Sequence, residues 1–149
     1  MRPSSRFSYI LRALIDLALR PGTGPVTVAA IAKRQGIPAR SLEQLFNRLR
    51  RKGIVEAERG PRGGYRLKLS PEKIRVRMLF DLFEPSGKRR TSFSESAGPN
   101  GENDPANLIW QQVQKAVETS LEAVTLAHLA DRMRDGLEEP IRHRYTFHI

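Results

Sequence analysis

Arg59-Gly60-Pro61-Arg62-Gly63-Gly64-Tyr65-Arg66-Leu67 decides how this chain folds. Two β-capable segments, Ile54-Val55-Glu56-Ala57 and Tyr65-Arg66-Leu67-Lys68-Leu69, flank a turn made of glycine, proline and arginine. Glycine reaches backbone angles that other residues resist, and proline cannot continue a strand ladder. The stretch predicts a β-hairpin with a basic tip. Taken alone it reads equally well as a solvated surface turn. The fifty residues before it decide between the two.

A helix is predicted from about Ala39 to Lys52, with Leu42, Leu45, Phe46 and Leu49 on its apolar side. Gly53 stops it, and basic residues crowd the last turn, where the helix dipole favours cations. Gly36-Ile37-Pro38 separates it from a shorter helix, Val28 to about Gln35, capped by Thr27 and facing Ala30 and Ile31 inward. A first helix carries Phe7, Ile10, Leu11, Leu14, Ile15, Ala18 and Leu19 at helical spacing and ends before Pro21-Gly22. Two short helices joined by a tight break and followed by a basic hairpin predict a winged helix-turn-helix. The fold class is therefore mainly α with a small β-hairpin wing.

Beyond the wing, Ser70-Pro71 interrupts, and Val76, Leu79, Phe80, Leu82 and Phe83 predict a helix to about Glu84. Residues 85–104 are polar, rich in Gly, Ser, Asn and Pro, and aperiodic, which predicts a flexible loop. A long helix follows from about Pro105 to Ala123. Ile109, Val113, Ala116, Val117, Ser120 and Leu121 form its stripe, widened by Leu108 and Trp110. Thr125 is placed to cap a final short helix through about Met133, and 134–149 is expected to lack a fixed fold. The organisation is a winged domain over 1–84, a loop over 85–104, two helices over 105–133 and a tail.

The net charge of +10 is unevenly placed. Residues 1–90 hold 21 Lys+Arg against 7 Asp+Glu, whereas 91–149 hold 5 against 9. Only the first part is suited to a polyanion, be it DNA, RNA or an anionic membrane. There is no cysteine, which excludes disulfides, thiolate metal sites and cysteine nucleophiles. No apolar run approaches the roughly eighteen residues that span a bilayer. The start of the chain is amphipathic rather than signal-like, so a soluble cytoplasmic protein with no membrane partner is expected.

In a helix-turn-helix the second helix enters the major groove. Arg40, Glu43, Gln44 and Asn47 are spaced i, i+3, i+4, i+7 and share the face opposite the apolar stripe. Arginine can grip guanine, glutamine can pair with adenine, and glutamate can accept from cytosine N4. A carboxylate facing phosphates is repelled unless a base donor satisfies it; Glu43 could otherwise simply pair with Arg40. Ser41 lies beside this face. Arg48, Arg50, Arg51 and Lys52 suit phosphate contacts, which position a protein without reading sequence, or form a solvated basic face. Arg59 and Arg62 at the wing tip suit a narrow minor groove. Tyr65 is expected at the base of the wing.

No catalytic constellation stands out. His143 and His148 fall in the tail, and His128 is alone on a short helix, with Asp131 three residues on as its sole conceivable co-ligand. Glu95, Glu102 and Asp104 could meet a hard divalent ion, but nothing fixes their geometry. The expectation is no enzyme, no metal and no cofactor.

Four runs resemble one bacterial family, the IscR-like (Rrf-two) winged helix-turn-helix transcriptional regulators. They are Ala13-Leu14-Ile15-Asp16-Leu17-Ala18-Leu19, Ile31-Ala32-Lys33-Arg34-Gln35-Gly36-Ile37, Ser41-Leu42-Glu43-Gln44-Leu45-Phe46-Asn47-Arg48-Leu49-Arg50-Arg51-Lys52-Gly53 and Arg59-Gly60-Pro61-Arg62-Gly63-Gly64-Tyr65. The resemblance reaches from the N-terminus to roughly Asp131. It implies a winged domain followed by a long dimerisation helix, a homodimer seamed by Ile109, Val113, Val117 and Leu121, and a palindromic double-stranded operator. It implies reading by Arg40, Glu43, Gln44 and Arg59, most simply as a repressor. Members that sense iron–sulfur status carry three cysteines in the loop before the long helix. Aligned on Trp110, those positions hold Ser92, Gly98 and Asp104 here, and a position that supplies histidine in some members holds Asn107. Clusters need thiolate ligands, so the resemblance implies a cluster-free member whose effector the sequence does not name. A different class, an interaction module binding protein or RNA, would have less use for Glu43 and Gln44 on the exposed face.

Overall fold

The computed structural model describes residues 4–84 and 105–138. Helix α1 spans Ser5–Ala18, and Ser4 caps it by accepting from the Phe7 N–H at 3.2 Å. It buries Phe7, Ile10, Ala13, Leu14 and Leu17. Helix α2, Val28–Gln35, starts on Thr27, whose hydroxyl accepts from the Ala30 N–H at 3.1 Å. It ends at Gly36 in the left-handed region, φ 62°. Helix α3, Ala39–Arg51, buries Leu42, Leu45, Phe46 and Leu49 against α1 and α2. Its end is closed by two bonds, Ile54 N–H to the Leu49 carbonyl and Gly53 N–H to the Arg50 carbonyl, both at 3.0 Å. Gly53 sits at φ 71°, the αL position this helix closure requires.

The wing is an antiparallel pair, β1 (Val55–Glu58) and β2 (Gly64–Leu67), with Val55 opposite Leu67 and Glu58 opposite Gly64. The ladder starts one residue later than the sequence expectation because Ile54 is used to close α3. The Ile54 carbonyl instead accepts from the Lys68 N–H at 2.9 Å. Val26, just before α2, pairs with Tyr65 through two bonds of 2.9 and 2.8 Å. The outer strand of the wing is thereby sewn to the start of the helix-turn-helix.

A 3₁₀ turn, Pro71–Lys73, leads into α4, Val76–Phe83. Helices α5 (Pro105–Ala123) and α6 (Leu126–Glu138) complete the described chain. Their elbow is bonded to the start of α4: Val76 N–H donates to the Val124 carbonyl at 2.9 Å, and Leu126 N–H to the Ile74 carbonyl at 2.8 Å. Helix α6 crosses α1 and inserts Leu126 into the core of the winged half. It runs past the expected end near Met133 as far as Glu138, so residues 134–138 are helical rather than irregular. An Arg134–Asp131 ion pair at 3.1 Å spans the turn where the expectation stopped. His128 proves to be a cap partner. Thr125 N–H donates to His128 Nδ1, and His128 N–H donates to Thr125 Oγ1, each at 3.3 Å. Residues 139–149 and the expected loop 85–104 lie outside the described residues.

Among the described residues one charged side chain is buried, Asp16 on α1. Arg34 of α2 donates to both its oxygens at 3.1 and 2.5 Å, Gln35 donates at 3.2 Å, and Arg20 lies 3.8 Å away. Burial pushes this carboxyl up, but the Arg34 and Gln35 hydrogen bonds and the nearby Arg34 and Arg20 charges outweigh it and hold it below its ordinary range. The Arg12 guanidinium caps this same C-terminal end of α2 by donating to the Gln35 carbonyl. These contacts fix α2 to α1, and so set the platform on which α3 is carried.

Candidate nucleic-acid interface

Helix α3 turns its apolar stripe inward and leaves Arg40, Glu43, Gln44 and Asn47 exposed on the opposite side, with Ser41 half-buried at its start. Among the described residues Glu43 forms no ion pair with Arg40 or with any other cation. Glu43 and Asn47 instead line an open groove whose far wall is the wing, at Glu58, Gly60, Gly63 and Gly64. The floor of the groove is the start of α2, from Thr27 to Ala29. Tyr65 is half-buried and packs edge-on to Phe46 with ring centroids 5.0 Å apart. It serves as the hinge pin between wing and α3, not as a free stacking surface.

Two of the three wing glycines, Gly63 and Gly64, are demanded by space. A Cβ on Gly64 would lie 2.4 Å from the carbonyl carbon of Val26 and 2.8 Å from the Thr27 nitrogen. A Cβ on Gly63 would lie 2.3 Å from the Glu58 carbonyl oxygen. All these atoms are backbone and cannot swing away. Gly60 takes φ 117° and its carbonyl accepts from the Gly63 N–H at 2.9 Å, which closes the tip. Arg59 and Arg62 are exposed there. Arg66 reaches across the ladder to Glu56 at 2.7 Å and Glu58 at 3.3 Å, offsetting two carboxylates beside a surface otherwise rich in cations.

The four basic residues near the end of α3 do not share one environment. Arg50, Arg51 and Lys52 are exposed and unpaired among the described residues. Arg48 donates to the Leu82 carbonyl at 2.7 Å and lies over the Phe83 ring at 5.1 Å from its centroid. The sequence groups all four because charge alone carries no direction. Nothing local separates Arg48 from Arg50, since both adjoin the buried Leu49; the Leu82 partner lies 34 residues away. Asp16 and Val26 also escape the sequence reading. A lone acid inside the apolar run Ala13–Ala18 is the clue to Asp16; a single-residue bridge such as Val26 leaves no periodicity to find.

Of the expected dimer stripe on α5, Ile109 and Val113 are exposed, Val117 is half-buried, and Leu121 packs on the chain's own core. No helix among the described residues is long and apolar enough to cross a membrane.

Residues 3–132 match the Rrf2 family, described as an iron-dependent transcriptional regulator. The chain belongs to the Rrf2 family. This Rrf2 chain is 34% identical over 129 residues to the HTH-type transcriptional regulator IscR of Aliivibrio salmonicida, covering 87% of this chain and 77% of that one. The solved structure of T. potens IscR superposes with a TM-score of 0.73 at 32% identity, covering 94% and 93% of the two chains. CymR, the global cysteine regulator of B. subtilis, superposes equally well at 29% identity, covering 89% and 98%. The mainly helical, winged architecture and its DNA-binding regulatory role are those of the Rrf2 group. The iron of the family description finds no thiolate here. The sequence holds no cysteine, and among the described residues no three His, Asp or Glu side chains converge as a metal site. The residues present do not fit an iron–sulfur cluster. Ser92, Gly98 and Asp104 lie outside the described residues, while Asn107 is on the first turn of α5.

Proposed function

We propose that this Rrf2 regulator is a cytoplasmic homodimeric repressor that reads a palindromic operator without an iron–sulfur cluster. The observation that carries the reading is Glu43. It is an exposed carboxylate with no cation partner among the described residues, set in the groove between α3 and the wing. In the DNA-bound state it would be costly beside phosphates unless cytosine N4 donates to it. Arg40, Gln44 and Asn47 share its face and complete the base-reading set. Ser41, Arg50, Arg51 and Lys52, with Arg59 and Arg62 from the wing, supply backbone and minor-groove contacts. Arg48 carries the same charge but is bonded to the Leu82 carbonyl of α4. Ile109, Val113 and Val117 form the dimer seam, with Leu121 at the edge where α5 meets its own core.

Selection of binding sites from random duplex tests the reading. Glu43→Ala should relax preference at one cytosine per half-site, by about 1–3 kcal/mol. Its non-specific binding should be equal or slightly tighter, because a negative charge leaves the phosphate surface. An unchanged selected site would make Glu43 structural. A protein or RNA interaction module would select no palindrome at all.

The cluster-free reading has its own expected result. Protein purified without oxygen should be colourless, and its operator affinity should be equal in air and under dithionite. Stoichiometric iron with visible cluster absorbance, or redox-dependent binding, would contradict it.

A further inference from the structure

We propose that Arg48 is a positioning residue that holds the recognition helix α3 at a fixed angle to α4, and through α4 to α5. It thereby sets the half-site spacing a dimer accepts. The inference rests on the proposed dimeric reading of DNA and gives one residue of that reading a different task.

Three observations carry it. Arg48 uses both features of its guanidinium within the chain. One nitrogen donates to the Leu82 carbonyl at 2.7 Å, and Cζ lies over the Phe83 ring 5.1 Å from its centroid, a ring that is buried and so cannot follow the arginine away. The accepting carbonyl is in the last turn of α4, where the helix dipole favours a cation. Helix α3 packs mainly on α1, α2 and β1, so Arg48 is its polar tie to α4. Helix α4 is in turn clamped to α5. Arg77 reaches Glu118 at 3.7 Å and Arg75 reaches Glu122 at 3.5 Å, while Val76 N–H donates to the Val124 carbonyl. The far end of α4 is held too, since Glu84 accepts from the Ser4 N–H at 2.8 Å. A continuous path of directed contacts therefore links the reading helix to the helix proposed as the dimer seam. Arg50 and Arg51, two and three residues on, have no such partners among the described residues. A lysine ammonium has no flat guanidinium to reach the Leu82 carbonyl while its carbon centre lies over Phe83, so Arg48→Lys keeps the charge and loosens the clasp.

The test uses the full chain and duplexes carrying the selected operator with its half-sites moved by one base pair in either direction. Affinities are measured at several salt concentrations for wild type, Arg48→Lys and Arg51→Ala. Wild type should prefer the natural spacing by about tenfold, since one base pair displaces a half-site by about 3.4 Å. Arg48→Lys should lose most of that preference while the slope of log affinity against log salt stays at the wild-type value. Arg51→Ala should do the reverse. Its spacing preference should hold, and its slope should fall by about 0.9 for each phosphate it no longer neutralises, near two per dimer. An Arg48→Lys protein that keeps the spacing preference, or lowers the salt slope as Arg51→Ala does, overturns the inference and returns Arg48 to the phosphate contacts. Wild type that binds no DNA overturns the functional reading itself, and the inference with it. Circular dichroism on each variant shows whether a weakened preference comes from unfolding; a spacing preference that disappears together with the fold overturns the positioning role.

Discussion

Asp16→Ala is expected to lower stability at pH 7 by about 2–4 kcal/mol, the range for removing one partner from a mostly buried charge pair with several hydrogen bonds. That lies below the roughly 3–5 kcal/mol of a fully buried pair because Arg34, at 32% exposure, can regain water when its partner is gone. For a chain of this size that is a fall in melting temperature of roughly 5–15 °C. The loss has a pH signature. The folded carboxyl is held below its ordinary value of 3.8, so the stabilisation is fully present above about pH 4 and fades as pH falls through the lower folded value. The gap between wild type and Asp16→Ala should therefore be constant from pH 5 to 8 and narrow only in acid. A melting series against pH measures it. A gap that grows as pH falls would contradict the sign. Because Asp16 carries α2, and α2 carries α3, operator affinity should drop as well even where the variant stays folded.

Gly64→Ala is expected to damage the wing more than its size suggests. The new methyl would sit 2.4–2.8 Å from three backbone atoms of Val26 and Thr27, so the Val26–Tyr65 bridge must open to admit it. Overpacking of this kind costs about 1–3 kcal/mol, and the wing also loses its attachment to the start of α2. Tyr65 is displaced from Phe46 by the same movement. DNA affinity should fall at every sequence, because the wing tip with Arg59 and Arg62 no longer faces the duplex at a fixed height. Gly60→Ala meets no atom within 4 Å and carries only the strain of φ 117°, so it should be milder in both assays. Equal effects at the two glycines would show that strain, not the Val26 contact, governs the wing.

Periodicity made the helices legible, because an amphipathic helix writes its buried face every three or four residues. Leu42, Leu45, Phe46 and Leu49 are all buried, as that pattern requires. The caps at Ser4, Thr27 and Thr125 are local, and two of the three are readable from the residue type and the break before it. What was not legible depends on contacts distant in sequence. Val26 meets Tyr65, Asp16 meets Arg34 and Arg48 meets Leu82, and no short window holds both members of any pair. Charge is silent for the same reason: four basic residues close together look alike until one of them is seen to bond α4. The end of α6 is not legible because a run of mixed charge resembles a solvated tail. Leu126 and Ala130, buried against α1, anchor the helix from which that run extends.

The most direct measurement of the proposed function is a titration of the selected palindrome with wild-type protein, following affinity and stoichiometry against salt. Two protomers should bind one duplex, through recognition helices about one turn apart, roughly 34–36 Å. Neutralising roughly 6–10 phosphates should weaken that binding about 10³–10⁵-fold between 50 and 200 mM salt. Val117→Glu, which places a charge in the proposed seam, should lose both the dimer in sedimentation and the cooperative complex. A single protomer on the palindrome, or an affinity unmoved by salt, would contradict the dimeric, phosphate-anchored reading of DNA.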